Sequence, residues 1–195
     1  MAKRSPILPF FCLILVWGIC TAAEEDPGDP AAIVKSLLNS VKVLSEAKDT
    51  QSEAEAVKRI SATFDVPGLS RACLRNTWET LSAEEQKNFV SLFREVLEKV
   101  AYPKSAKFFK DTGVEVEEVI REDGKAEVRT LVVHPEEGEV EVAYCLELLD
   151  GAWLIEDILL DGVSLRMDLR SQAQKILREE SYEELKRRLR DKLNE

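Results

Sequence analysis

The hydrophobic positions along the chain change period twice. Ile33, Val34, Leu37, Leu38, Val41 and Leu44 recur at three- and four-residue intervals, which predicts an amphipathic helix over residues 31–47. Ala56, Val57 and Ile60 predict a second helix over 52–63. Asp65 is placed to cap a short third helix that begins at Val66 or Pro67 and carries Leu69, Cys73 and Leu74. Ser82 and Glu85 have the spacing of a capping box. The helix that they open shows Phe89, Leu92, Phe93, Val96, Leu97 and Val100 on one broad face and is expected to end near Tyr102-Pro103, with a further short helical or turn segment over 105–110.

From Gly113 the period becomes two, the repeat of a strand with one face buried. Strands are expected over 114–121 and 126–134, joined by Asp123-Gly124. Pro135, Glu136, Glu137 and Gly138 then turn the chain into a hairpin centred on Asp150-Gly151. An Asp-Gly pair suits a type I′ turn, which needs positive φ at both central residues. That turn would place Leu148 opposite Trp153, Leu146 opposite Ile155, Tyr144 opposite Asp157 and Val142 opposite Leu159, all on one face. The other face carries Cys145, Glu147, Leu154, Glu156 and Ile158 and is more mixed. After Gly162 the helical period returns, with Leu165, Leu169, Ala173 and Ile176 and then Tyr182, Leu185, Leu189 and Leu193. Helices over 31–110, a sheet over 113–161 and helices over 165–193 describe an α+β fold: a four-stranded antiparallel meander with one face covered by helices.

Composition changes this picture at the N-terminus. Lys3 and Arg4 precede an apolar run over 7–19, and Thr21-Ala22-Ala23 supplies small residues before Glu24. This is the pattern of a secretory signal peptide over 1–23. About 172 residues, 24–195, are left for a single domain. Removal of Lys3 and Arg4 leaves 25 basic against 37 acidic residues, a net charge of −12. So acidic a product lacks the basic footprint that nucleic-acid binding requires. In an exported protein Cys73 and Cys145 could pair, but they fall on separate elements that nothing in the sequence brings together, so a disulfide and two separate half-buried thiols are both open, with the second favoured. With one histidine, His134 at a strand end, and no Cys-x-x-Cys, no metal-ligand spacing is present.

Three features leave two readings open. The large apolar residues of helices and sheet make either an ordinary dry core or the walls of an apolar cavity. Asp157, the polar member of the apolar face, is either satisfied by Tyr144, a backbone amide or solvent, or is a desolvated general base with Tyr144 as donor, as in an isomerase- or dehydratase-like enzyme on a cone-shaped α+β fold. Lys186-Arg187-Arg188, with Arg190 and Lys192, is either a solvated helix face balanced by neighbouring glutamates or a contact for phosphate headgroups.

The ordered set Phe64-Asp65, 69–74, Trp78, 81–86, 89–93 and Tyr102 resembles the helical half of the MlaC (toluene-tolerance) family, of which a hopanoid-associated subfamily shares the pattern. Residues 153–158 and Asp161-Gly162-Val163-Ser164-Leu165 resemble that family's terminal strand and Gly-Val-Ser corner. Arg170, Gln172, Ile176, Leu185 and Leu189 fit its last helices. Arg75 departs from the pattern, standing where members often carry Gly. The resemblance implies a monomeric periplasmic carrier of phospholipid between an outer-membrane lipoprotein complex and an inner-membrane ABC transporter. Lipid is its cargo, and neither a cofactor nor a catalytic residue is implied. Facing alone nominates the lipid-contacting positions: Val142, Tyr144, Leu146, Trp153, Ile155 and Leu159 from the sheet, and Phe89, Phe93, Val96, Leu97 and Val100 from the helices.

Overall fold

Three Asp-Gly pairs set the path of the sheet. Asp123-Gly124, Asp150-Gly151 and Asp161-Gly162 all hold positive φ at both residues (45° and 75°, 49° and 83°, 46° and 77°), the backbone that a tight hairpin turn demands. In the computed structural model, which describes residues 28–194, they join β1 (Gly113–Glu122) to β2 (Lys125–His134), β3 (Gly138–Leu149) to β4 (Ala152–Leu160), and β4 to β5 (Val163–Ser164), while residues 135–137 link β2 to β3. The strands lie side by side in sequence order, every pair antiparallel. The expected signal peptide lies outside the described residues. The sheet has five strands where four were expected. The third Asp-Gly turn folds Val163 and Ser164 back onto Leu160 and Leu159, a two-residue strand too short to show a period.

Each long helix begins at a capping side chain, and two of these caps, Asp65 and Ser82, are the ones expected. Asp29 accepts from the Ala31 amide at the start of α1 (Pro30–Glu46), and Asp49 from the Gln51 and Ser52 amides at the start of α2 (Thr50–Ala62). Asp65 Oδ1 accepts from the Gly68 amide at 2.9 Å and opens α3 (Val66–Leu74). A five-residue helix α4 (Asn76–Thr80) follows. The full Ser82–Glu85 capping box then starts α5 (Ala83–Val96).

Here the sequence reading needs correction. The helix does not end near Tyr102-Pro103. It passes through one π-helical turn, Leu97–Ala101, into α6 (Tyr102–Phe108). Pro103 has no amide hydrogen to give the Lys99 carbonyl, so the α-helical ladder is interrupted there. The Tyr102 amide reaches back five residues to the Leu97 carbonyl instead, and the wide turn absorbs the missing bond. After the sheet, Ser164 caps α7 (Leu165–Glu179) and Ser181 caps α8 (Tyr182–Lys192).

Two apolar clusters result. In the first, α1, α2 and α6 cover one face of the sheet. Val34 and Val41 of α1, Ile60 of α2 and Tyr102 of α6 meet Val128, Val142, Tyr144 and Ile155 of the strands. In the second, α3, α5, α7 and α8 pack on one another through Leu69, Cys73, Phe89, Phe93, Ala173 and Leu185. The two halves are joined beside Ile155. Its amide donates to the Thr63 carbonyl at 2.8 Å, and its carbonyl accepts from the Asp65 amide at 3.1 Å, so residue 64 runs alongside β4 as a parallel bridge.

Two bulges adjust the sheet. In β1 the register steps between Val116 and Glu118. In β4 it steps at Glu156: Leu146 pairs with Ile155, but Cys145 pairs with Asp157. The hairpin register is therefore as expected near the turn and shifted by one residue beyond it. Tyr144 lies opposite Ile158 and Val142 opposite Leu160, while Asp157 and Leu159 pair with Cys145 and Ala143. The reason is the extra residue, which turns over every later side chain.

The Asp150-Gly151 turn gives a direct check. Gly151→Val places a β-branched side chain at φ 83° and is expected to lower unfolding free energy by about 1–2 kcal/mol, read as a shift in urea midpoint.

Candidate functional site

Three apolar spaces lie within and between the two clusters. The first, about 260 Å³, is walled by Phe64, Leu69, Leu97, Ala101, Tyr102, Ser105 and Ile158, with Asp157, Leu165, Arg166, Asp168 and Leu169 at one end. That end is open to solvent: Leu165 and Leu169 are 37% and 36% exposed. The second, about 50 Å³, runs between α1 and the sheet. It shares Phe64, Tyr102, Ser105 and Ile158 with the first, so the two spaces meet across one common wall. The stacked rings of Phe64 and Tyr102, with centroids 6.0 Å apart, form part of that wall. The third, about 290 Å³, lies among the helices between Cys73, Phe89, Phe93, Ile176, Leu185 and Leu189. Leu169 lines both the first and the third.

Local folding explains why the first space exists. The π-helical turn sets Leu97 and Ala101 on its wall. The β4 bulge brings Ile158 to the face that Asp157 was expected to occupy. The bridge to Ile155 holds residue 64 beside the sheet.

The expected contact residues divide among these places. Leu97 lines the first space and Tyr144 the second. Phe89 and Phe93 line the third, away from the sheet. Val142, Leu146, Trp153 and Ile155 are buried in the sheet cluster without lining any of the three. Val96, Val100 and Leu159 are half-buried and line none of them; Leu159 was turned over by the bulge. Phe64, Leu69, Ala101, Tyr102, Ile158 and Leu165 line the first space and were not among the nominated positions. All but Ala101 stood in the stretches that carry the family resemblance, but none was marked by its facing.

Two polar features concern the interior. Tyr144 is 1% exposed, and burial pushes its phenol well above the ordinary tyrosine range. Trp153 Nε1 is buried without a hydrogen-bond partner among the described residues.

Asp157 is fully engaged. Its Oδ1 accepts from the amides of Ile158 at 2.8 Å and Arg166 at 2.9 Å, and its Oδ2 accepts from the Ser164 hydroxyl. A base needs an accessible lone pair aimed at a substrate; these oxygens instead tie β4 to the start of α7. The same corner places Arg166, whose Nη1 donates to Glu156 Oε2 at 2.6 Å and whose Nε lies 3.9 Å from Asp157 Oδ2.

The remaining polar candidates fall to their structural readings. His134 Nδ1 accepts from the Glu136 and Glu137 amides and its ring stacks on Phe108. Cys73 and Cys145 are unpaired, and burial pushes both thiols up to about 11. In the basic run of α8, Lys186 pairs with Glu183, Arg187 with Glu184 and Asp191, and Arg188 with Glu180 and Glu184. Lys186, Arg187 and Arg188 are thus paired with carboxylates of α8 and of the turn that precedes it. Among the described residues no cluster of His, Cys, Asp and Glu is arranged to hold a metal ion, and no helix is long and apolar enough to cross a membrane.

An α+β domain with an apolar space between helices and sheet, open at one end beside a charged corner, is the class that these observations define. The chain belongs to the MlaC protein family, which it matches over residues 31–191. Its fold is similar to the solved structure of a phospholipid-binding protein from Ralstonia solanacearum, determined in complex with a phospholipid. The two are 19% identical, the alignment covers 84% of this chain and 94% of that one, and the TM-score is 0.68. Among curated proteins, none matches the sequence.

The α8 pairing carries a pH prediction. Hydrogen bonds from Arg187 and then Arg188 lower the Glu184 carboxyl from its ordinary 4.5 to about 2. A depressed carboxyl contributes stability above its unfolded value and loses it as the folded value is approached. The wild-type chain should therefore lose stability between pH 4.5 and 2, and Glu184→Gln should flatten that part of the curve, measured as urea midpoint against pH.

Proposed function

We propose that this protein is a periplasmic phospholipid carrier that shields acyl chains in the space between sheet and helices. The observation that carries the reading is the apolar cavity that opens between Leu165 and Leu169 and is parted from the smaller space against the sheet by the shared wall of Phe64 and Tyr102. Membership of the MlaC family and the fold shared with a phospholipid-binding protein support it.

The energetics suit a carrier. Two acyl chains hold roughly thirty methylenes, and exposing them to water would cost on the order of 25 kcal/mol. The carrier must shield that surface fully. Its net gain over a membrane must stay small, because donor and acceptor membranes shield the chains equally well. Apolar walls discriminate weakly between chains that differ by one methylene, so the acyl preference is broad. The headgroup remains at the open end, where Arg166, 36% exposed in its side chain, offers a guanidinium to the phosphate. No bond is made or broken in this cycle. Donor and acceptor are an outer-membrane lipoprotein complex and an inner-membrane ABC transporter.

Native mass spectrometry of the purified chain tests the reading. A phospholipid adduct, or uptake of lipid from vesicles, is expected; a lipid-free mass with no uptake overturns it. The site assignment follows the bulged register. Ile158→Arg is expected to reduce uptake about tenfold or more, since it places an unpaired charge in the cavity wall, whereas Leu159→Arg on the opposite face leaves uptake nearly unchanged. Circular dichroism establishes that both variants are folded.

A further inference from the structure

α3, α4 and the first half of α7 border a separate concavity of about 390 Å³. Arg71, Arg75 and Arg170 line it, with Gly68, Asn76 and Glu79. Three guanidiniums face one carboxylate in a chain that is otherwise strongly acidic. Arg71 donates to Glu79 Oε1 at 2.7 Å. Neither Arg75 nor Arg170 has a carboxylate partner among the described residues.

Two structural facts indicate that this grouping is built. Gln174 donates from Nε2 to the carbonyls of Cys73 and Leu74, at 2.8 and 3.1 Å. It thereby ties α7 to the last carbonyls of α3, which have no partner within their own helix. Arg170 lies four residues earlier on α7 and so shares a face with Gln174. The tie therefore sets Arg170, half-buried, beside Arg71 and Arg75. Second, Arg75 holds φ 49° and ψ −122°, a backbone that glycine adopts freely and a side chain with Cβ does not. An arginine is kept where glycine would be relaxed, and strain of this kind gathers at binding sites.

We propose that Arg71, Arg75 and Arg170 form a binding site for a phosphate group, separate from the acyl cavity and independent of the lipid-carrier reading. Counting Glu79, the site carries a net charge of about +2, which suits a phosphomonoester better than a single carboxylate. Planar guanidiniums meet phosphate oxygens in paired hydrogen bonds. Asn76 supplies a further amide donor at the rim. The phosphate is carried either by a soluble molecule or by a lipid headgroup in a membrane surface.

The test uses the mature chain, residues 24–195, and two probes. Glycerol 3-phosphate is titrated by isothermal calorimetry, and sedimentation measures binding to phosphatidic acid vesicles against phosphatidylcholine vesicles. Saturable binding is expected, weakened about tenfold or more by Arg170→Gln and by Arg75→Gly, and strengthened by Glu79→Gln, which releases Arg71. Arg75→Gly should also raise Tm, so its loss of binding cannot be ascribed to unfolding. This variant order with glycerol 3-phosphate assigns a soluble phosphate; the same order with phosphatidic acid vesicles alone assigns a headgroup. Absence of saturable binding to both probes, or binding that Arg170→Gln and Arg75→Gly leave unchanged, overturns the proposal. Lipid retained in the acyl cavity should be unaffected by any of the three variants, which keeps the two sites experimentally distinct.

Discussion

The arrangement depends on a few backbone hydrogen bonds beside Ile155. An interior residue of a sheet has both its amide and its carbonyl committed to neighbouring strands, because an unpaired backbone group away from water is costly. Ile155 commits them to Thr63 and Asp65, which belong to the helical half of the chain. Phe64 is fixed between these contacts, and α3 starts immediately after them. The helices that wall the cavity are thus registered to the sheet by backbone geometry. Side-chain packing alone would leave them freer to slide.

The β4 bulge is the second part of this joint. One extra residue, Glu156, lets the lower half of β4 keep its register with the turn while the upper half exposes the opposite set of side chains. The carboxylate next in line, Asp157, then caps the corner through Ser164 and the Arg166 amide. A single insertion therefore delivers Ile158 to the apolar space, Asp157 to the corner and Arg166 to the open end.

Much of this was legible in the residues. Asp65 and the Ser82–Glu85 pair located the starts of α3 and α5, the helical period located α2 to within two residues, and period two located the four long strands. The sheet and the helices over one face followed from the order of the two periods. What failed to show was local and physical. A bulge has no composition signature when the extra residue is an ordinary glutamate, so every assignment beyond Glu156 was one residue out. The π-helical turn was hidden because Pro103 ordinarily ends a helix, and here a wider turn carries the chain past it. Phe89 and Phe93 lie on the same stripe as Leu97, yet the helices diverge from the sheet toward the start of α5. That stripe therefore serves two clusters, and periodicity does not report which neighbour a face meets.

The bulge in β1 bears on how copies of this protein behave together. β1 is the outermost strand, and Val119 and Ile120 are among its more exposed apolar residues; a flat strand with such residues invites edge-to-edge association with another chain. The irregular step between Val116 and Glu118 breaks the even ladder that such an addition would copy. Glu115, Glu117 and Glu118 crowd like charge onto the same margin. The strand thereby carries its own guard against fibril-like stacking on that side.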